Sequence, residues 1–220
     1  MHTPLPLPLI LLTATCLTLA AACLPTDAPE PPESASTSPT ETVSAQDTLP
    51  AYQKAFAAHR ERVATTWQFP VGPPSAKGYY NAQPFGENDH LGDDWNGTGG
   101  GNSDLGDPVY AAASGWVGQS LDHGGGWGKV IRVVHRLSAT DSLNYVETLY
   151  AHLDSMLVNR GEWVEAGQQI GTIGNADGAY WAHLHFELRN APRRPLGGGY
   201  GRSNGYLDPT TWIKAKQAGR

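Results

Sequence analysis

Cysteine is nearly missing from this 220-residue chain: only Cys16 and Cys23 occur, both close to the amino terminus. The remainder has no disulfide to staple it and no thiolate to offer a metal. Its fold must rest on a core, which seven Trp and the Val-, Ile- and Tyr-rich runs can supply. Long hydrophobic runs are also lacking. The longest, from Leu7 to Ala22, is about sixteen residues, short of the ~20 that a membrane span needs. Residues 24–50 contain no Lys or Arg at all. No basic excess appears elsewhere, so nothing points to nucleic acid.

The apolar run has the length of a signal-peptide core, although no basic residue precedes it. It ends in Leu19-Ala20-Ala21-Ala22-Cys23, which resembles a lipoprotein cleavage site with Cys23 as the lipid-bearing residue. An ordinary signal cleaved near Ala22 is the alternative; export is common to both. Residues 24–50 are rich in Pro, Ser and Thr and carry Asp27, Glu30, Glu33, Glu41 and Asp47. Such a segment buries too little apolar surface to offset chain entropy, so it reads as a disordered tether. Those five acids account for most of the imbalance between 21 acidic and 15 basic residues, leaving the rest nearly neutral. The expected organisation is a signal peptide over 1–23, a tether over 24–50, a helix and lead-in over 51–84, a main domain over 85–213 and a tail over 214–220.

Within residues 51–67, Tyr52, Phe56, Val63 and Trp67 recur at helical spacing, which predicts one packing helix. The rest is strand-like. Candidate strands are residues 109–112, 116–119, 129–136, 145–152, 169–173 and 183–189, separated by glycine-rich turns. Residues 129–136 lack clean alternation, which suggests a strand covered on both faces. The strand over 145–152 should end in a turn at Asp154-Ser155.

Two short motifs carry chemistry: His90-Leu91-Gly92-Asp93-Asp94 and, some ninety residues later, His183-Leu184-His185-Phe186-Glu187. On a strand, His183 and His185 share one side, and His90 and Asp94 are likewise in step while Asp93 is not. Two imidazoles and a carboxylate meet the ligand count of a catalytic zinc site, with one imidazole left for proton transfer. Either motif alone could be a half-exposed structural pair. A third element, Tyr150-Ala151-His152-Leu153, adds another imidazole, unless His152 merely caps a strand end.

Taken in order, these three motifs resemble the lysostaphin-like (LytM-type) zinc metallopeptidases, which cut peptide cross-links in bacterial cell walls. Gly106-Asp107-Pro108-Val109-Tyr110-Ala111-Ala112 and Val164-Glu165-Ala166-Gly167-Gln168 resemble the family's barrel segments, and Leu207-Asp208-Pro209 with Trp212-Ile213 its closing segment. The resemblance implies a mainly β domain, a compact antiparallel sheet related to barrel-sandwich hybrids, preceded by one helix. It implies one Zn²⁺ held by His90, Asp94 and His185. His152 and His183 would flank the hydrolytic water, and peptidoglycan peptide would be the substrate. One departure is the glycine-rich stretch from Trp95 to Leu105, longer than the family's usual connection and expected as a loop at the groove rim. It is no phosphate loop, because no Lys follows in register. The family also uses a tyrosine near the metal; Tyr79, Tyr80 and Tyr110 are candidates, none assigned. His59, His123 and His135 match no motif and read as structural. Residues 193–206 read as a loop that could wall the groove, with Arg193 and Arg194 solvated.

Two other functions compete. A catalytically silent wall-binding regulator would be expected to lack a ligand or a catalytic histidine, and none is missing here. A biotinyl- or lipoyl-type carrier would share the Gly-Asp-Pro-Val pattern but needs an exposed hairpin lysine. Between Gly115 and Val164 the sole lysine is Lys129, at a strand start.

Overall fold

The computed structural model describes residues 49–139, 141 and 143–219. The expected signal peptide, Cys23 and the tether up to residue 48 lie outside them. Among the described residues no helix is long and apolar enough to cross a membrane. The chain forms helix α1 (Ala51–Ala58), then strands β1 (Tyr79–Gln83), β2 (Asp93–Gly97), β3 (Pro108–Tyr110), β4 (Gly115–Asp122), β5 (Lys129–Arg136), β6 (Tyr145–Met156), β7 (Trp163–Val164), β8 (Gln169–Ile173), β9 (Leu184–Arg189) and β10 (Tyr206–Leu207), and closes with helix α2 (Pro209–Ala218).

All pairings are antiparallel. The main path runs β1-β2-β9-β6-β5-β4-β7, with β10 beside β9 and β8 joining β6 to β3. The fold is therefore mainly β, as the family resemblance implies. On β9, Leu184, Phe186 and Leu188 enter the main core with Ile131, Val133 and Tyr150. The period of two then turns His185, Glu187 and Arg189 to the opposite face. Burial of β5 from Val130 through His135 bears out a strand covered on both sides.

What covers the second face explains two departures from expectation. Helix α1 stops at Ala58 rather than near residue 67. Tyr52 and Phe56 pack on Val134, Trp116, Tyr145 and Trp163, with the Phe56 and Trp163 rings edge-on at 4.9 Å. Beyond it, β-branched Val63, Thr65 and Thr66 disfavour helix. The extended backbone instead donates from Ala64 N–H to the Arg136 carbonyl and from Gln68 N–H to the Ala112 carbonyl. Trp67 is buried all the same, so it keeps its core role without a helix.

The expected turn at Asp154-Ser155 is also absent: β6 runs on to Met156 because its far end pairs with β8. Trp95 belongs to β2 and is buried, so the glycine-rich loop starts only after Gly97. The C-terminal helix passes straight through residue 213. Asp208 caps it, accepting from Thr211 N–H at 2.9 Å, Pro209 takes the first turn, and Ile213 is buried.

Candidate metal centre

Strand order places the motifs side by side. β2 pairs with β9 so that Asp94 stands opposite His185, and β9 pairs with β6 so that His185 stands opposite Ala151. Directly opposed residues share a face within reach of each other. His90 lies just before β2 and His183 just before β9, held by single bridges to Tyr200 and Gly174 respectively.

His152 arrives by a different device. Between Tyr150 and Leu153, β6 spends one more residue than β5 does between Ile131 and Lys129. This is a bulge, and His152 sits in it with φ 59°, a left-handed conformation few non-glycine residues adopt. A bulge re-aims a side chain, here toward the cleft. Gly174 fits beneath it: a Cβ there would lie 2.4 Å from the His152 carbonyl oxygen and from Asp154 N.

His90, Asp94 and His185 each direct one ligand atom to a common point, all within 4.8 Å of one another. Asp94 Oδ1 lies 2.9 Å from His185 Nδ1 and 3.4 Å from His90 Nε2, and the two nitrogens are 3.1 Å apart. Tetrahedral ligands at zinc bond lengths stand ~3.3 Å apart, so this donor set fits the ion with little movement. The outer nitrogens are committed elsewhere. His90 Nδ1 donates to the Gln83 carbonyl at 3.0 Å, and His185 Nε2 donates to Glu187 Oε1 at 3.0 Å. Such outer partners fix which nitrogen faces a metal.

The charges agree. Burial alone would depress His185, but Asp94 and Glu187, one at each ring nitrogen, outweigh it and raise its pKa to about 9. The site thus favours positive charge between its carboxylates. Burial would raise Asp94; hydrogen bonds from His185 and His90 prevail and hold it well below the usual carboxylate range. His152 is pushed down to about 3 by burial and by the neighbouring His185 and His183, so its ring is neutral. Its Nδ1 is buried with no partner. His183 Nδ1 donates to the Trp181 carbonyl at 2.8 Å, and its Nε2 lies 3.8 Å from Asp94 Oδ1.

Gly92 accounts for the glycine between His90 and Asp94. A Cβ there would meet the Phe186 carbonyl oxygen at 2.6 Å and the His185 ring at 3.1 Å. Asp93, out of step as expected, points away, accepting from Phe85 N–H and Thr210 Oγ1.

The five residues line a cleft of about 290 Å³ with Trp127, Tyr180 and Tyr200. None of the candidate tyrosines Tyr79, Tyr80 or Tyr110 lines it; Tyr79 is tied instead to Asp107 at 2.7 Å. The Tyr200 ring lies tilted against His90, 5.1 Å between centroids, and its hydroxyl donates to Gln83 Oε1. It arrives on a glycine-rich loop with no motif around it, so no local signal marks it. The wall expected from residues 193–206 is present as Gly198, Gly199 and Tyr200. Arg194 is not simply solvated: its guanidinium meets the Asn204 carbonyl and lies over Tyr206.

A family model, Peptidase family M23, matches residues 95–197. Lipoprotein NlpD of Yersinia enterocolitica is 39% identical over 84 residues, covering 38% of this chain and 78% of NlpD. The chain belongs to peptidase family M23. Another relative, the uncharacterized lipoprotein YgeR of Escherichia coli (strain K12), is 44% identical over 87 residues, covering 38% of this chain. The matched segment is only 30% of YgeR's length. Peptidoglycan DD-endopeptidase ShyA of Vibrio cholerae is 34% identical over 84 residues, 38% of this chain and 18% of ShyA.

Proposed function

We propose that this M23 protein is a zinc-dependent endopeptidase that hydrolyses peptide cross-links of bacterial peptidoglycan. The observation that carries the reading is the convergence of His90 Nε2, His185 Nδ1 and Asp94 Oδ1 on one point, with both outer imidazole nitrogens tied off. These three would be the ligands. Bound zinc supplies Lewis acidity to the attacking water and the scissile carbonyl. His183 takes the proton of the water at Nε2 and returns it to the leaving amine, while its Nδ1–H stays on the Trp181 carbonyl. His152, held neutral by burial, donates its ring N–H to the developing oxyanion. Positioned acid–base groups of this kind contribute ~10²–10⁴-fold.

The printed name of ShyA supports the substrate class. The names of NlpD and YgeR support an exported protein held to a membrane by lipid, here at Cys23. The alternative is a silent wall-binding regulator, and one experiment separates the two. The purified protein is incubated with whole peptidoglycan, with and without a chelator, and products are identified by mass spectrometry. Chelator-sensitive release of peptides cut at a cross-link is the expected result. Intact peptidoglycan in the presence of a zinc-loaded protein would sink the endopeptidase reading.

A further inference from the structure

A second groove, of about 600 Å³, lies beside the cleft, formed mostly by the turn before β9 with Asn96 of β2 and Asn102 of the glycine-rich loop. Tyr180 and His183 line both, so the two are continuous. The loop is firmly seated. Gly97 N–H donates to the buried Asp104 at 2.8 Å, and Asn102 Oδ1 accepts from Ala182 N–H at 2.8 Å. From the other side Asn96 Nδ2 donates to the Ala182 carbonyl at 3.1 Å. Ala182, next to His183, is thus clamped between two side-chain amides.

That clamp dictates what the amides can still do. Asn96 has spent a donor and keeps Oδ1 as an acceptor. Asn102 has committed Oδ1 to one hydrogen bond and keeps Nδ2 as a donor. Asn175, whose Oδ1 accepts from Gly178 N–H, adds a further NH₂. Beside them Trp181 is 69% exposed and Tyr180 45% exposed. Leaving an indole in water is unfavourable unless something covers it. Among the described residues, no Asp, Glu, Lys or Arg lines the groove.

We propose that this groove is a saccharide subsite, in which Trp181 stacks on one face of an N-acetylated hexosamine while Asn96, Asn102 and Asn175 take its acetamido and hydroxyl groups. An acetamido group presents one N–H and one carbonyl, the complement of the acceptor on Asn96 and the donor on Asn102. A carboxylate-bearing peptide would find no cation here, whereas a neutral sugar needs none. The groove volume falls in the range of about 300–1,000 Å³ usual for small-ligand sites. The inference rests on the peptidoglycan reading of the adjoining cleft, since the glycan strand of that polymer carries such sugars next to the peptides cut.

The test is titration of tri-N-acetylchitotriose into the full chain, followed by calorimetry and by ligand-observed NMR, neither of which requires turnover. Saturable binding at about 1 mM or tighter is expected. Trp181→Ala removes only an exposed ring and should weaken it at least about tenfold. Asn102→Asp keeps the acceptor for Ala182 N–H but replaces the free donor, and should weaken it as well. In parallel, the ratio of cleavage rates on a disaccharide-bearing cross-linked dimer and the same dimer without sugar should fall in Trp181→Ala. No saturation by the unsubstituted protein, or equal binding by both variants, overturns the subsite. Trp181-dependent sugar binding without any cross-link cleavage would keep the subsite and reject the endopeptidase.

Discussion

Glu187 stands directly behind His185, its Oε1 3.0 Å from the imidazole Nε2, and neither side chain reaches solvent. The carboxylate holds the ring so that Nδ1 faces Asp94 and His90. Glu187→Gln keeps the shape but removes the charge, and should lower zinc affinity by about 10–100-fold, read by chelator competition. Unchanged affinity would mean the pair only packs.

The two histidines of His183-Leu184-His185 should fail differently. His185→Ala should lose the metal and the activity together. His183→Ala should retain one zinc, measured by metal analysis after dialysis, while turnover collapses. Full activity in His183→Ala would reject its assignment as the proton carrier.

Gly92 tolerates no side chain, because a Cβ would press on the Phe186 carbonyl and the His185 ring. Gly92→Ala should cost about 1–3 kcal/mol in urea unfolding and weaken zinc binding together. Loss of stability with native zinc affinity would show that the strands absorb the clash without moving His185.

Arg189 is buried between two acids, with Nε 2.6 Å from Glu187 Oε2 and Nη1 3.9 Å from Glu147 Oε1. It also donates to the Arg194 and Leu196 carbonyls, at the base of the loop that brings Tyr200 to the cleft. Arg189→Met should destabilise the fold by about 3–5 kcal/mol, because Glu187 stays buried without its guanidinium, while Glu147 keeps Arg132 at 2.6 Å. Equilibrium unfolding at pH 7 measures this directly.

His135 predicts the acid limb of stability. It is fully buried, its Nδ1 donating to the Ser114 carbonyl and its Nε2 2.8 Å from Thr148 Oγ1, and burial lowers its pKa from 6.5 to about 4. Above pH 6.5 it is neutral folded and unfolded and adds no pH dependence. Between about 6.5 and 4 the unfolded chain binds the proton and the folded one does not, so stability falls as pH drops. The loss totals about 3 kcal/mol by pH 4. His135→Gln should flatten that part of the urea-midpoint profile. An identical slope in the variant would assign the acid limb to other groups.

Much of the candidate centre is legible in the sequence because its donors sit in three short motifs of recognisable residue type and order. His183 and His185 are two apart and share a side at the start of β9, whereas His90 lies before β2 and is aimed by its bridge to Tyr200. The hydrophobic runs of β5 and β8 are legible at their true boundaries for a similar reason: turn residues bracket them tightly. Helix α1 ends short of the periodic pattern because Trp67 is buried from an extended segment, and Val63 is only half-buried. Helix α2 carries only one deeply buried apolar side chain beyond its proline, Ile213, too few to show a stripe. Arg132, Glu147 and Arg189 look like surface residues, since such side chains are almost never fully buried unless paired.

The family and the candidate donor residues follow from residue identity and order alone, because coordination chemistry depends on which donors exist. Tertiary structure decided the rest: the pairing of β2 with β9 and of β9 with β6, the bulge that turns His152, the arrival of Tyr180 and Tyr200, and the burial of the Arg–Glu network. Each depends on which distant segment lies across the sheet, and backbone pairing between remote segments leaves no periodic trace within either.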